Sequence, residues 1–316
     1  MAGKSSTIEL CGGEYEHVLG LSGVQHGIEI RYVIRPLLEV FERMLAERAY
    51  EACEFSLSNY IMLKDRNADW LNAIPVFPYR AFRHSTLYVR SYSSLQDPSQ
   101  LRGKLVGVPD YSMTAAVWTR GILAEQYGAH WSEIRWIASG RQRFSVLPGV
   151  DVKVVDEDLE AALIDGRIDA LLTPHTEDEV KPAAERRLRP LIADPQRAEE
   201  AYLESTGVYP INHVVVIRQD TLARLPHAPR AVFDAYAQCK AAAYKRRLGT
   251  TLMPWGQRHW TKVFDQFGGN PLPYGLNAIN RQVVDKLAGF LHDQKLIARM
   301  PDVDSLFIAE SMAFQE

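Results

Sequence analysis

Short β-like runs alternate with helix-like segments along most of this chain of 316 residues. Residues 8–11, 52–55 and 214–217 are rich in apolar and β-branched side chains, as the strands of a buried sheet are. The segments between such runs carry apolar residues at helical spacing, and one of them ends at Gly128. This alternation favours an α/β protein. Because the length exceeds one domain of about 100–200 residues, we predict two α/β lobes.

The charge balance limits the partners of the chain. It has 36 Lys and Arg residues against 39 Asp and Glu residues, a formal net charge of −3. Binding to nucleic-acid phosphates needs concentrated positive charge, so we expect no nucleic-acid partner. No apolar run approaches the roughly 18 residues that a membrane helix needs, so we expect no membrane partner either.

Cysteine content and the N-terminal sequence predict the compartment. The three cysteines, Cys11, Cys53 and Cys239, form no CxxC or metal-ligand spacing, which favours a reducing environment. The first residues, MAGKSST, lead into a strand-like run and lack the apolar core of a signal peptide. We therefore expect a cytoplasmic protein, although a mature secreted chain would show the same pattern.

Two crossings between the lobes are expected. Residues 91–102 (SYSSLQDPSQLR) are polar and rich in turn-forming residues, and the apolar run 214–217 fits a strand that returns to the first lobe. The predicted lobes are residues 1–90 with 209–316, and residues 91–208. Small ligands bind preferentially between lobes and at the carboxyl ends of strands, so we expect functional residues there.

Three of the predicted strand ends carry residues suited to binding an anion. Gly12 and Gly13, after the first strand, allow close approach of the backbone to a ligand or form an ordinary turn. Polar side chains at a helix start bind carboxylates together with free backbone N–H groups, or simply cap the helix. Those side chains are Ser58 and Asn59 at one predicted helix, and Tyr111, Ser112 and Thr114 at another.

Basic and aromatic residues alternate in the segment 78–85. Arginine forks bind carboxylates through two parallel hydrogen bonds, and histidine transfers protons near neutral pH. We therefore favour a functional role for this segment over that of a solvated basic loop. Its candidate residues are Arg80, Phe82, Arg83 and His84.

Two further histidines, His175 and His213, lie beside apolar strands. A single histidine in such a strand is more often a hydrogen-bonded core residue than a functional one. The chain contains no Walker, GxGxxG, GxSxG or HExxH motif, and its histidines and carboxylates have no zinc spacing. The residues alone therefore indicate a two-lobe protein that binds a small anionic ligand, with or without catalysis.

Several segments resemble one known family, the 4,5-dihydroxyphthalate decarboxylases. The block 102–123 and the run YPINHVVVI are the most specific, and together the similar segments cover most of the chain. The others are FSLSNY, PVFPYRAFRHS, GRIDALL and NPLPYGLNAINR. The resemblance implies a type II periplasmic-binding-protein-like fold, an α/β fold of two lobes with a central cleft and two crossing strands, used as a cytoplasmic enzyme.

The chain departs from the family pattern in two places. Glu14 stands between Gly13 and Tyr15, where the family usually has aspartate, and His175 follows Pro174, where an arginine is expected. If that arginine helps to hold a substrate carboxylate, this chain has lost the clamp or moved it. The departures bear on the substrate more than on the fold.

The resemblance implies decarboxylation of a hydroxylated aromatic acid, 4,5-dihydroxyphthalate to protocatechuate, without a metal or an organic cofactor. Deprotonation of the hydroxyl para to the carboxylate moves electron density to the ring carbon, and an acid protonates that carbon. Loss of carbon dioxide then restores aromaticity. His84 and His213 are the expected proton donors, and Glu14 is the expected base, with His175 as a second choice.

The same hypothesis assigns the contacts to a small aromatic acid substrate. Arg80 and Arg83 are expected to recognise its charge, and Tyr15 and Phe82 to stack on its ring. Polar groups complete the predicted binding set: Ser58, Asn59, Tyr111, Ser112, Thr114 and His175. The sequence leaves open whether the protein is a homo-oligomer.

Two other functions are open on the same fold. A non-catalytic solute-binding protein for an aromatic or dicarboxylic acid would share the architecture. So would a related enzyme with another substrate, such as one resembling the enzymes that act on menaquinone or thiamine precursors. The FRHS and YPINH segments favour the decarboxylase.

Overall fold

The computed structural model describes residues 6–140, 142–145 and 148–316. Within these residues the chain forms two six-stranded mixed sheets with helices packed against them. This arrangement confirms the α/β class predicted from the alternation of the sequence. Among the described helices, none has the length and apolar character needed to cross a membrane.

Twelve strands form the two sheets of the described chain. They are β1 (Thr7–Gly12), β2 (Gly23–Gln25), β3 (Ile28–Ile34), β4 (Ala52–Ser56), β5 (Leu71–Ile74), β6 (Leu87–Arg90), β7 (Leu105–Val108), β8 (Arg135–Ser139), β9 (Val152–Val155), β10 (Ala170–Leu172), β11 (Leu188–Pro190) and β12 (His213–Arg218). The order is β2-β3-β1-β4-β12-β5 in the first sheet and β11-β6-β10-β7-β8-β9 in the second. Strand β12 runs antiparallel to β4 and β5, and β6 runs antiparallel to β10 and β11.

Nine α-helices accompany the strands in the described residues. They are α1 (Leu37–Glu47), α2 (Leu57–Asp65), α3 (Thr114–Tyr127), α4 (Leu159–Ile164), α5 (Pro195–Thr206), α6 (Gln219–Arg224), α7 (Ala228–Leu248), α8 (Gly256–Gln266) and α9 (Ala278–Asp293). The predicted stop at Gly128 is confirmed, since this residue ends α3 with a φ of 63°. The predicted cap at Ser58 is wrong, because α2 begins at Leu57 and its N-cap is Ser56.

The first crossing between the sheets precedes the predicted one. Strand β6 (Leu87–Arg90) pairs with strands of the second sheet, so the chain leaves the first sheet within residues 75–86. The interpretation of residues 91–102 as the crossing is therefore wrong, and the predicted lobe boundary at residue 90 falls after a strand of the second sheet. The second crossing lies within residues 207–212, before β12 returns to the first sheet.

The two crossings lie side by side. Arg80 and Ile211 form an isolated antiparallel bridge. The amide of Asn212 donates to the carbonyl of Tyr79 at 2.9 Å, and Trp118 of α3 donates its indole N–H to Ile211. The crossings thus form a short two-stranded connection whose side chains reach the space between the sheets.

Candidate functional site

A cavity of about 480 Å³ lies between the two sheets, beside the crossings. Helix α1 and the ends of β4 and β12 supply one side, and the loops after β7 and β10 supply the other. The lining residues are Tyr15, Leu37, Leu38, Phe41, Ser56, Tyr79, Arg83, Pro109, Met113, Thr114, Ala115, Arg143, Thr173, Pro174, His175, Asn212 and His213. The cavity therefore joins apolar surface with two arginines and two histidines.

His213, the first residue of β12, is held by Glu54 of the neighbouring β4. His213 pairs with Ser56 in the sheet, and Glu54 lies two residues before Ser56, so both side chains project from the same face. The imidazole Nδ1 lies 2.6 Å from Oε1 of Glu54. Glu54 is fully buried, whereas the His213 side chain keeps 14% of its surface exposed. Since Nδ1 donates to the carboxylate, the second ring nitrogen, Nε2, is left for the cavity.

Glu54 accepts hydrogen bonds from three groups in total. The Tyr15 hydroxyl donates to Oε1 at 2.9 Å, and the Gly13 amide donates to Oε2 at 3.0 Å. Burial, and then the nearby Glu54 carboxylate, raise the pKa of Tyr15, so its hydroxyl stays protonated and remains a donor. Such a set of donors stabilises an ionised carboxylate. The carboxylate in turn fixes the orientation of the His213 ring through the contact with Nδ1.

Gly13 is required by this arrangement. A Cβ atom at this position would lie 2.7 Å from the Tyr15 ring, closer than real contacts allow. The glycine predicted to admit a ligand therefore makes room for Tyr15, whose hydroxyl reaches Glu54.

Aromatic rings fix the plane of the His213 imidazole. Tyr79 stacks on it with the ring centroids 5.0 Å apart, and Phe41 packs edge-on at 5.1 Å. Tyr15 stacks in turn on Tyr79 at 5.8 Å. Tyr15, Phe41 and Tyr79 also line the cavity, so aromatic side chains supply part of its apolar surface.

Arg83 brings positive charge to the same space. Its Nε donates to Oδ1 of Asn212 at 3.0 Å, and its guanidinium carbon lies 5.8 Å from the centroid of the Tyr79 ring. Burial lowers the pKa of this guanidinium, which is 5% exposed. Asn212 on the second crossing thus orients an arginine on the first crossing towards the cavity.

The N-terminus of α3 faces the cavity from the second sheet. Met113, Thr114 and Ala115 line it, and the N-cap residue Met113 gives the helix no side-chain cap. Backbone N–H groups and the helix dipole favour an anion at such an end. The Thr114 hydroxyl lies 2.9 Å from the Ser56 hydroxyl across the gap between the sheets.

Three of the predicted ligand contacts instead join the two lobes. The Ser58 hydroxyl donates to the carbonyl of Ser112 at 2.7 Å, and the Asn59 amide donates to the same carbonyl at 3.0 Å. All three side chains are fully buried, and none lines the cavity. The structure therefore places Ser58, Asn59 and Ser112 behind the cavity wall, where they position Ser56 and Thr114.

Arg80 and Phe82 also point away from the cavity. Arg80 donates to the carbonyl of Pro273 at 3.0 Å, and burial lowers its pKa to about 10. Phe82 packs on Tyr209 with the ring centroids 4.7 Å apart. In this segment of alternating basic and aromatic residues, Arg83 therefore faces the cavity, whereas Arg80 and Phe82 lie on the other side of the crossing.

The predicted roles of Glu14 and Tyr111 do not fit the structure either. Glu14 is exposed and does not line the cavity, so it does not stand where a base for a bound substrate would. Tyr111 is buried beside Arg120, whose guanidinium carbon lies 3.7 Å from its ring centroid. The two residues occupy the predicted loops, but their side chains face elsewhere.

His84 is a core residue in this structure. It is 2% exposed, its Nε2 lies 2.8 Å from Oε1 of Gln126, and its ring packs beside Tyr202. Nε2 therefore carries the proton, and Nδ1 is buried without a partner among the described residues. Burial lowers the pKa of His84 because a second proton would have no acceptor there. The prediction of His84 as a proton donor to the substrate does not fit this position.

This environment predicts acid sensitivity in the folded protein. With the folded-state pKa of His84 below its ordinary value of 6.5, the unfolded chain binds the proton more readily. Stability is therefore lost as the pH falls through that value. We expect the melting temperature of His84→Gln to fall less than that of the wild type when the pH is lowered from about 7.5 to about 5.5. Turnover should be unchanged. Thermal unfolding at both pH values measures this, with the exposed His259→Gln as control; equal losses in all three proteins would contradict it.

Two histidines face the cavity from opposite lobes. His213 comes from the first sheet, and His175 follows β10 of the second sheet, where it is exposed. Histidine is the residue type used for proton transfer near neutral pH, so these two residues are the candidates for acid and base roles in the cavity. Among the described residues, no group of three or more His, Cys, Asp or Glu side chains is arranged to hold a metal ion.

Several residues of this site were not predicted from the sequence, among them Glu54, Tyr79, Arg143 and Asn212. Glu54 offered a signal, since it is the lone acid in the apolar strand ACEFS, and a buried carboxylate needs partners. Tyr79 and Asn212 lie inside segments that were singled out for other residues.

Comparison with known proteins gives two curated relatives of the same description. The chain is 30% identical over 304 residues to a 4,5-dihydroxyphthalate decarboxylase of Comamonas testosteroni, covering 90% of each chain. It is 32% identical over 158 residues to a protein of that name from Pseudomonas putida, covering 47% of this chain and 61% of the relative. No model of a protein family matches. The resemblance predicted from the sequence is confirmed.

Solved structures confirm the fold. The periplasmic aliphatic sulphonate binding protein SsuA from Escherichia coli aligns with a TM-score of 0.57 at 13% identity, covering 96% of this chain and 92% of that one. The desulfurization enzyme DSZB aligns with a TM-score of 0.51 at 13% identity, covering 96% and 97%. The predicted two-lobe fold of periplasmic binding proteins is therefore correct, and the fold carries both binding proteins and enzymes.

Proposed function

This chain belongs to the 4,5-dihydroxyphthalate decarboxylase family, and we propose that it converts 4,5-dihydroxyphthalate to protocatechuate and carbon dioxide. It is an aromatic carboxy-lyase that works in the cavity between the lobes. The observation that carries the mechanism is the contact of the buried Glu54 carboxylate with Nδ1 of His213. A protein that only binds an anion has no need of an imidazole held in this way.

His213 is the proton donor to the ring in this proposal. Glu54 holds Nδ1, and the donor in this mechanism is the imidazolium, whose second N–H lies at Nε2 on the cavity side. Tyr79 and Phe41 pack against the imidazole and keep it from rotating. A substrate ring bound in the cavity next to the imidazole places the carbon that bears the departing carboxylate before Nε2.

His175 is the base for the substrate hydroxyl. We assign this role to His175 and not to Glu14, because His175 lines the cavity from the lobe opposite His213. Removal of the phenolic proton sends an electron pair to the para carbon, which takes the proton from His213. The bond to the carboxylate carbon then breaks, its electrons restore the aromatic ring, and carbon dioxide leaves. The phenolate regains its proton from His175, and His213 is reprotonated from solvent.

Arg83 and the N-terminus of α3 bind the substrate as an acid. Arg83 offers guanidinium N–H groups, and the first turn of α3 offers backbone N–H groups with a favourable dipole. The side chains of Leu37, Leu38 and Met113 add apolar surface to the cavity, which suits the ring of the substrate. We also propose a cytoplasmic location, which fits the three free cysteines.

The test is incubation of the chelator-treated protein with 4,5-dihydroxyphthalate, followed by chromatography for protocatechuate. We expect stoichiometric product without any added cofactor. Thermal stabilisation of the protein by the acid without any product would contradict the decarboxylase function and favour a solute-binding function. Product formed from another hydroxylated benzoate alone would assign the chain a different substrate.

A further inference from the structure

Arg143 contributes a second positive charge to the cavity. It lies on the connection between β8 and β9 in the second lobe, and its side chain is 10% exposed. Arg83 reaches the same cavity from a crossing segment, so the two guanidinium groups belong to separate parts of the fold. A buried cation is costly unless an anion accompanies it, and Asp110 is the anion paired with Arg143.

Asp110 positions Arg143 but uses only part of its guanidinium. The Nε of Arg143 donates to Oδ2 of Asp110, while Oδ1 accepts from the amide and the hydroxyl of Ser112, each at 2.7 Å. The two terminal nitrogens of Arg143 donate to no other described residue. Asp110 therefore acts as a fixed anchor, and these nitrogens are available to a ligand in the bidentate manner typical of arginine.

The two arginines lie against different walls around His213. The guanidinium carbon of Arg143 is 5.9 Å from the Phe41 ring centroid, and that of Arg83 is 5.8 Å from the Tyr79 centroid. Phe41 and Tyr79 are themselves the two rings packed on the His213 imidazole. A ligand bound before His213 thus has Arg143 on the Phe41 side and Arg83 on the Tyr79 side.

We propose that Arg143 is the specificity residue that selects a dicarboxylate over a monocarboxylate. Arg83 binds one carboxylate of an aromatic diacid, and the terminal nitrogens of Arg143 bind the second. A monoacid engages one cation and leaves the other paired with Asp110 alone. This assignment rests on the proposed function for the identity of the substrate, but it concerns recognition and not the chemical step.

Binding of phthalate and benzoate tests the assignment without turnover, since neither has the hydroxyl that the reaction needs. Calorimetric titrations compare the wild type, Arg143→Gln and Arg83→Gln. We expect Arg143→Gln to lower the affinity for phthalate about tenfold or more and to leave the affinity for benzoate within about twofold of the wild type. Arg83→Gln should weaken both ligands. Arg135→Gln, an exposed arginine on β8, is the matched control and should change neither.

The outcomes separate the two proposals. Equal weakening of phthalate and benzoate in Arg143→Gln, or no weakening of either, would overturn the assignment. So would a wild-type protein that binds benzoate as tightly as phthalate. Selectivity for phthalate that depends on Arg143, in a protein without decarboxylase activity, would support the dicarboxylate site and overturn the proposed reaction. Melting temperatures show whether the variants are folded.

Discussion

Replacement of His213 by alanine is expected to lower kcat by about 10²–10⁴-fold and to leave the affinity for phthalate within about threefold. The imidazole is the group that the structure presents to the cavity with a carboxylate behind it, whereas the charge that binds the acid comes from Arg83. Loss of the proton donor therefore acts on the chemical step. Steady-state kinetics with 4,5-dihydroxyphthalate and titration with phthalate measure the two effects separately.

Control variants show whether a loss of turnover in His213→Ala comes from the missing imidazole or from a destabilised fold. His213→Ala leaves the buried Glu54 without its partner, which destabilises the fold, so the melting temperature is measured alongside. His213→Gln retains an N–H donor and should show the same loss of kcat with a smaller loss of stability. The exposed His259→Ala should behave as the wild type. A kcat within threefold of the wild type in folded His213→Ala would remove His213 from the reaction, as would equal losses of binding and turnover.

The strands that could be predicted are those buried at the centre of a sheet. Residues 214–217 are fully buried in β12, and their apolar, β-branched sequence shows this directly. The edge strands β2 (Gly23–Gln25), β9 (Val152–Val155) and β11 (Leu188–Pro190) escaped prediction because they are short and partly polar. Their strand character comes from pairing with a neighbour, which a local pattern does not report.

The position of the first crossing has a similar cause. Strand β6 has four residues of ordinary strand composition, and nothing in LYVR tells which sheet it joins. The polar segment at 91–102 marked a surface connection correctly, but that connection follows the crossing strand. Membership of a sheet is a long-range property, so composition alone placed the boundary too late.

The site was predictable where a residue type carries its chemistry on a strand end. His213, Arg83 and Thr114 were found in this way, and all three line the cavity. The direction in which a side chain points was not predictable. Arg80 and Arg83 belong to one short segment, yet of the two only Arg83 reaches the cavity. The partner of His213 was beyond the reach of spacing, since Glu54 lies 159 positions away and meets it only through the pairing of β4 with β12.

This long-range partner also distinguishes an enzyme from a binding protein on this fold. In the proposed function an anion is recognised by Arg83 and the start of α3, and such recognition would work with any polar residue at position 213. Burial of a carboxylate costs free energy that ligand binding does not recover, because Glu54 is fully buried and does not line the cavity. The arrangement becomes useful when the imidazole must carry a proton at one defined nitrogen.

Substitution of Glu54 by glutamine is therefore expected to have the second large effect, a fall in kcat of about 10²–10⁴-fold with KM little changed. An amide is neutral, so it no longer places a negative charge behind the imidazole of His213. Its NH₂ group would also face the Gly13 amide or the His213 Nδ1–H, each of which now donates to a carboxylate oxygen. The variant keeps the size of the side chain and the cavity walls, so substrate binding through Arg83 should survive.

Tyr15→Phe is the matched comparison for Glu54→Gln. It removes one of the three donors to the same carboxylate but leaves the charge and the contact with His213 in place. We expect it to lower kcat by no more than about tenfold, because one hydrogen bond contributes far less than the charge itself. Kinetics of both variants at several pH values, with phthalate titrations, provide the measurement. Turnover of folded Glu54→Gln within fivefold of the wild type, or a larger loss in Tyr15→Phe, would show that the charge of Glu54 does not act through His213.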